Sequence, residues 1–507
     1  MGSADLVMSL IACFTLSVIL VTVFCLYCKK KYSYWREKGV KGPVPWPVVG
    51  NFGNVILQKE SLDQCIKDIY SKYKGEKLVG LYSGFRPVVL IRDPELIKHV
   101  LIRDFDVFQE RGNSSRGSRL SDNLFSANGE KWKIMRQKLT PVFTTRKLKE
   151  MVPNIQKCIA NFLQYVNNLV EKNIDHEIRA LTAKYTLEVI GSCAFGLDLK
   201  LYTDEENKFS SMVKQIFTPT FRSRLIVLLD MIIPGIRKKF STRPELQEFF
   251  VDLVRKVQKE RKGRPLSHRD FMDLMIELKE EGKISRKLED GKVEIEIDDY
   301  MVAAQALVFY SAGFETSSAA MSFLIHELAL HTDVQDRLYK EICEVLEKYD
   351  GEINYDSVKD MKYLEMVLDE TLRKHPLATV LFRKSSLAYT FPGTDVTIPK
   401  DTSVMISASG LTKDPKYFNN PNEFNPENFM PEKLNNLPQC VYLPFGEGPR
   451  NCIGMRFAKV QSLLGTAAFF KQFKVEPSEK TKQELVMDPK AIVVTCKEGI
   501  WVKITKR

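Results

Sequence analysis

A chain of 507 residues that is 44% hydrophobic and 27% charged can build a large buried core, which excludes disorder and simple repeats as its organising principle. Its net charge of +11 is dispersed, and no basic run interleaved with aromatics marks a nucleic-acid surface, so a membrane surface or an acidic protein suits the charge better. Ten scattered cysteines, with no Cys/His cluster at zinc spacing, argue against a disulfide framework and a structural zinc site.

In chain order, the first element is an uncharged apolar run of 23 residues, Leu6 to Cys28, followed directly by Lys29, Lys30 and Lys31. That length crosses roughly 30 Å of hydrocarbon as one helix. The basic flank belongs on the cytosolic side, and the run is too long for the apolar region of a cleaved signal. Residues 1–28 are therefore read as a membrane anchor. Residues 29–50, basic and then interrupted by Pro43, Pro45 and Pro47, read as a stiff linker. Residues 51–507 read as one large domain. Alternation from Lys77 to Ile91 suits a hairpin, while helical periodicity dominates elsewhere, notably over 131–140, 152–172, 246–262, 298–330, 333–348 and 359–374. The fold class is mainly α with small β-sheets. Leu225 to Ile233, apolar but too short to span a bilayer, suits an interfacial contact or a buried helix equally.

Two later stretches place costly residues where structure alone does not require them. In LVFYSAGFETSSAAM a mid-helix glycine costs up to about 1 kcal/mol against alanine, and the acid beside it, in an apolar helix, requires a partner. Near the C-terminus, FGEGPRNCIG brings Cys452 to the start of a helix, after Gly446 and Gly448, which admit special backbone angles and close approach. A thiol there is favoured as thiolate by the helix dipole and nearby N–H groups, suited to a nucleophile or a metal ligand. The six histidines sit in no protease-like context. A lone thiolate among glycines that admit a flat, bulky group points to haem iron.

The ten-residue stretch resembles the haem-binding loop of the cytochrome P450 family, FxxGxRxCxG, with Phe445, Gly448, Arg450, Cys452 and Gly454 at its fixed positions and Gly446 as an extra glycine. The resemblance covers the whole chain, because the family's other motifs follow in order. It implies haem as cofactor and Cys452 as the iron ligand. Ala312, Gly313, Glu315 and Thr316 match the proton-delivery motif: the gap at Gly313 would admit dioxygen or water, and Glu315 and Thr316 would hand on protons. Trp132 and Arg136 match WxxxR and, with Arg450, Arg383 and Arg111, are the implied partners of the haem propionates. Glu370 and Arg373 match ExxR, a buried pair that usually binds an arginine in a downstream PERF stretch. Here that stretch is Pro426, Glu427, Asn428 and Phe429, so the third charge is missing.

What the resemblance implies is a haem-thiolate monooxygenase on the cytosolic face of the endoplasmic reticulum membrane. Electrons would come from NADPH-cytochrome P450 reductase, with cytochrome b5 as a further partner, since no dinucleotide fingerprint follows any predicted strand. The docking face would include the cluster Lys131, Lys133, Lys138, Arg146, Lys147 and Lys149. The pocket is expected along Gly112 to Asn128, Phe217 to Ile226, Ala303 to Ala312, Leu377 to Phe382 and Ile492 to Thr495, with Phe125, Phe309, Leu377, Val380, Leu381 and Phe382 prominent. The pattern is most similar to the branch of insect detoxification and vertebrate drug-metabolising enzymes, which favours lipophilic foreign compounds such as plant toxins or insecticides. Biosynthesis of an endogenous lipid or hormone, or ligand sequestration without turnover, are the alternatives.

Overall fold

The computed structural model of the chain describes residues 3–112, 119–172, 174–202, 244–261, 270–288, 291–491 and 494–507, with isolated positions between 212 and 236. Most of the expected pocket segment 217–226, most of the apolar stretch 225–233, and parts of the segments 112–128 and 492–495 lie outside the described residues. Among the described residues the longer helices are α1 (Ser3–Lys31), α2 (Leu62–Lys72), α3 (Gly129–Leu139), α4 (Thr145–Val170), α5 (Ile178–Phe195), α6 (Pro244–Arg261), α7 (Phe271–Glu280), α8 (Asp299–Leu330), α9 (Thr332–Glu347), α10 (Lys362–Lys374) and α11 (Met455–Gln472). The strands are β1 (Leu78–Ser83), β2 (Arg86–Ile91), β3 (His176–Glu177), β4 (Lys283–Leu288), β5 (Gly291–Glu296), β6 (Val380–Lys384), β7 (Ser403–Ser407), β8 (Phe473–Glu476) and β9 (Trp501–Lys506), besides one pair of two-residue strands. The protein is thus mainly helical with small sheets.

The expected hairpin is β1 and β2, antiparallel with Leu78 opposite Ile91. It is extended by β7, parallel to β2, and closed by β6, antiparallel to β7, in the order β1-β2-β7-β6. Helix α4 begins at Thr145 rather than near 152 and carries Pro153 in its interior. The apolar stripe of Leu148, Met151, Val152 and Ile155 is buried on both sides of the proline, and that burial outweighs the missing backbone bond. Periodicity expected from 359 resolves into a short helix, Tyr355–Asp360, and α10, broken at Met361.

Helix α1 is apolar enough to cross a membrane by length and composition, and its large apolar side chains, such as Leu6 and Phe14, are exposed. Only its end meets the rest of the described protein, where Cys28 is buried and Tyr27 packs edge-on against Phe85 at 5.3 Å. Residues 29–50 are more than the stiff linker that their prolines suggested. Trp35 is 2% exposed, its indole N–H donates to the Leu81 carbonyl at 2.8 Å, and it lies where a side chain on Gly80 would have to sit. The segment after the anchor is therefore fastened to β1.

Two hydrophobic clusters make up most of the interior. One gathers α4, α5, α8, α9, α10 and α11; the other gathers Trp35, α2 and the four-stranded sheet. Helix α8 is the axis of the first, buried over Met301–Ala306 and again over Ser317–Ala329, and its 32 residues span roughly 48 Å. Polar stitches fix its neighbours. Thr182 donates to the Ser318 carbonyl at 3.0 Å and Thr186 to the Phe314 carbonyl at 3.0 Å. Gln461 of α11 donates to Ser317 at 2.6 Å.

The chain bridges the two clusters at the Glu370–Arg373 pair of α10, wholly buried on both sides. Arg373 gives Nε and Nη2 to the carboxylate at 2.7 and 2.8 Å, and its remaining N–H groups reach the carbonyls of Thr412, Pro421 and Glu423. Every guanidinium donor is used, as a buried charge requires. The position of the missing arginine is filled by an amide: Asn428 Nδ2 lies 3.3 and 3.4 Å from the two Glu370 oxygens, and the Asn425 N–H adds a bond of 2.8 Å. Arg373→Ala, which strands Glu370, should cost about 3–5 kcal/mol. Asn428→Ala, which removes only long amide contacts, should cost about 0.5–1 kcal/mol; thermal unfolding of the two variants checks the difference.

Candidate functional site

The cysteine loop runs along the seam between the two clusters, since Cys440 and Leu443 before it pack with the sheet and Phe457 and Val460 after it pack with the helices. Two of its glycines are required by the polypeptide itself. Gly446 and Gly448 have φ of 71° and 72°, and a Cβ on Gly448 would lie 1.9 Å from the Leu101 carbonyl oxygen, so no other residue fits there. Gly454 has neither constraint; the nearest atom to a Cβ there is Phe143 Cε1 at 3.7 Å. The Cys452 N–H donates to the Phe445 carbonyl at 2.8 Å, which closes the loop.

Cys452 presents accessible surface, yet enough of the protein surrounds it that burial raises its pKa. Both observations hold together if the sulfur faces an internal hollow. The depressed thiol expected from the helix start is not found. The Gly454 N–H and the charges of Arg136 and Arg111 favour the thiolate, but desolvation outweighs them. A cation bound directly to sulfur would reverse that balance. Ala312 is accessible in the middle of α8, between the buried stretches Met301–Ala306 and Ser317–Ala329.

Around this seam the structure gathers the four expected arginines from four parts of the chain. Arg450 stacks over the buried Trp132, 4.1 Å from the ring centroid, and donates to the carbonyls of Gln109 at 3.0 Å and Ala127 at 2.6 Å. Arg136 grips Asn451 at both its carbonyl and its side-chain oxygen, at 2.8 and 2.7 Å. Arg111 donates to the Arg450 carbonyl at 2.9 Å. Arg383, 4% exposed on β6, donates to its neighbour's carbonyl at 2.8 Å.

Burial, and then mutual repulsion, drives these cations down. Arg450, buried and facing Arg111, Arg383 and Arg136, falls to about 8. Burial and Arg111 lower Arg383 to about 9. Burial, partly offset by Cys452 and reinforced by Arg136, lowers Arg111 to about 10. Arg450 Nη1 and Arg383 Nε are buried with no hydrogen-bond partner. Four crowded guanidiniums with orphaned donors fit a group carrying two carboxylates. Among the described residues no group of three or more His, Cys, Asp or Glu could hold a metal by itself. The donor set, one thiolate plus a cationic rim, therefore fits iron carried in a planar dianionic macrocycle, which is haem.

On α8 the motif residues divide. Thr316 Oγ donates to the Ala312 carbonyl at 2.8 Å, which leaves its lone pairs free to accept. Glu315 is ion-paired with Arg179 of α5, the partner the buried acid required. Gly313 does not leave the gap expected for dioxygen: a Cβ there would lie 2.8 Å from Ile190 Cδ1, so this glycine serves the close approach of α5. Phe309 is taken up in an aromatic stack with Phe143 at 5.5 Å and Phe271 at 4.3 Å. Phe125, 51% exposed, lies under the Arg111 guanidinium at 4.3 Å. Leu377, Val380, Leu381 and Phe382 are half-buried.

Sequence reasoning missed Asn451 and Arg179. The first lay inside the motif already singled out, between two assigned residues; the second had no local signal, because its only mark is distance in space.

Comparison with known proteins finds similarity over nearly the whole chain. The family model described as Cytochrome P450 matches residues 40–503. Cytochrome P450 6B7 of Helicoverpa armigera is 40% identical over 493 residues, covering 97% of each chain. Cytochrome P450 6B1 of Papilio polyxenes is 38% identical over 97% of this chain and 99% of its own. Cytochrome P450 6a2 of Drosophila melanogaster is 36% identical over 97% of this chain and all of its own.

The Gly313 contact is open to test. Gly313→Ala should destabilise the protein by about 1–3 kcal/mol through overpacking. Ile190→Val, which removes the clashing methyl, should recover part of that loss in the double variant, as read by thermal unfolding.

Proposed function

The chain belongs to the cytochrome P450 family and is a haem-dependent monooxygenase, and on that premise we propose that it oxidises lipophilic foreign compounds at the cavity lined by Cys452 and Ala312. The observation that carries the site assignment is the gathering of four arginines, Arg383 and Arg450 buried and Arg111 and Arg136 half-buried, with Arg111 and Arg136 acting on the Cys452 thiol. Bound there, haem supplies dioxygen activation and transfer of one oxygen atom to substrate.

Cys452 would ligate the haem iron, its thiolate assisted by the Gly454 N–H and by Arg136 and Arg111. Arg111, Arg136, Arg383 and Arg450 would hold the propionates, with Trp132 packed against Arg450. Phe445, Gly446, Gly448 and Gly454 would shape the loop that presents the thiolate. Thr316, with its proton tied to the Ala312 carbonyl, offers oxygen lone pairs to a water or a protonated ligand and so orders proton delivery. Glu315 takes part only when its pair with Arg179 opens; otherwise it fixes α5 to α8.

The accessible Phe125 and the half-buried Leu377, Val380, Leu381 and Phe382 support an apolar substrate, and the similarity to insect relatives supports a foreign one. We propose residues 1–28 as an anchor in the endoplasmic reticulum membrane, 29–50 as its fastened connection, and 51–507 as the catalytic domain on the cytosolic face. NADPH-cytochrome P450 reductase, with cytochrome b5 as a further donor, would dock over α3 and the start of α4. The cations there are not bare. Lys131 pairs with Asp122, Lys133 with Glu130 and Asp106, Lys138 with Glu281, Arg146 and Lys147 with Glu150, and Lys149 with Asp356. Exposed pairs of this kind are weak, so an acidic partner can exchange into them.

The reduced protein with carbon monoxide should show the red-shifted Soret band of thiolate ligation, lost in Cys452→His; its absence from wild type would refute the site. Thr316→Ala should keep that band while product formed per NADPH falls roughly ten-fold or more and peroxide rises. Reversing Lys133 and Lys138 to Glu should slow reduction of the iron several-fold at low ionic strength, with the difference fading at high salt, while ligand-induced spectra stay as in wild type.

A further inference from the structure

Gln305 is the residue of α8 least expected from its surroundings: a primary amide, fully buried, in the sequence MVAAQALVF. Helical spacing places it on one stripe with Val308, Ala312 and Thr316, two turns nearer the helix N-terminus than the accessible Ala312. Both ends of the amide are used, and both by the backbone of a distant loop. Its Nε2 donates to the Asp122 carbonyl at 2.9 Å, and its Oε1 accepts from the Leu124 N–H at 2.9 Å. The assignment of oxygen and nitrogen is fixed by those partners, since a carbonyl needs a donor and an N–H needs an acceptor.

The loop held in this way, Arg119 to Asn128, has little regular structure of its own. Asn123 folds it locally, donating to the Leu120 carbonyl and accepting from the Phe125 and Ser126 N–H groups. One end is tied to the first turn of α8, where Arg119 pairs with Asp298 and stacks over Tyr300 at 4.4 Å. The other end supplies the Ala127 carbonyl to Arg450 and the Phe125 carbonyl to Arg111. The Gln305 side chain and the loop backbone thus join the central helix to the arginine cluster.

We infer that Gln305 is a positioning residue that fixes this loop on α8, and through it sets where Phe125 stands in the substrate cavity and where Arg450 and Arg111 stand at the haem edge. A buried amide has no water to fall back on, so when the loop leaves, Gln305 and the α8 face around it are stripped of hydrogen bonds. The loop is therefore held down by the cost of exposing that amide as well as by apolar contact. Ligand selectivity then depends on a residue that need not touch the ligand. The inference rests on the reading of the Cys452 site as the haem pocket.

The test uses the full-length haem protein and the iron-binding probe 4-phenylimidazole. Gln305→Met keeps the volume and removes both bonds. Amide hydrogen exchange at Leu124 and its neighbours in 119–128 should rise roughly ten-fold over wild type, with α11 and the sheet unchanged. Association and dissociation of 4-phenylimidazole should both accelerate several-fold, while the carbon monoxide complex keeps its Soret position. Gln305→Glu mimics the amide only when its carboxyl is protonated. Its exchange, compared with wild type at each pH, should therefore return toward wild type as the pH is lowered. Arg119→Gln, on an exposed side chain, should loosen the same loop to a smaller degree and decides the matter if neither Gln305 variant takes up haem. Unchanged exchange over 119–128, or a rise spread evenly across the protein, would overturn the inference. Loss of the thiolate Soret band in wild type would instead overturn the site reading on which it rests.

Discussion

Four guanidinium groups cannot be packed into one buried seam without negative charge between them. Arg111, Arg136, Arg383 and Arg450 come from a loop, a helix, a strand and the cysteine loop, and each is lowered by burial. Protein carbonyls satisfy some of their donors and leave others bare. The arrangement suits a dianionic group, and it gathers where the sheet cluster meets the helical cluster.

The rest of the architecture serves to bring those parts to the seam with little freedom. Helix α8 is held on one side by Thr182 and Thr186 and on the other by Gln461, so Ala312 and Thr316 are fixed relative to the cysteine loop. Gly448 lets that loop press on the Leu101 carbonyl. The buried Glu370–Arg373 pair draws in the carbonyls of Thr412, Pro421 and Glu423, pinning the chain that leads from the sheet to the cysteine loop. At the other end Trp35 fastens the anchor's basic flank to β1, so a membrane would orient the whole domain rather than merely tether it.

Much of this was legible in the linear sequence, for identifiable reasons. The anchor, the hairpin and the major helices follow from hydropathy and period, which are local. The cysteine loop and the acid-alcohol helix were legible because they carry residues unusual for their settings: a cysteine after closely spaced glycines in a short loop, and an acid in an apolar helix. Some readings changed for want of information in space. Gly313 looked like a gap for dioxygen and is a contact with Ile190. The basic patch on α3 and α4 read as a docking face, and its cations are each paired with an acid in the structure. The linker read as stiff because its prolines are visible; the pocket for Trp35, which fastens it, is not.

The sequence by itself determined which chemistry is available: a thiol presented by a glycine-rich loop, cations for a dianion, a hydroxyl and an acid on one apolar helix, and an anchor before them. These are properties of residue type and short spacing, which need no knowledge of the fold. The tertiary structure alone decided the partners: Arg179 for Glu315, Asn428 in place of an arginine beside Glu370, and the loop backbone for Gln305. A buried polar group announces in sequence that it must be satisfied. Which atom satisfies it depends on contacts between segments 58 to 183 residues apart, and these exist only once the chain has packed.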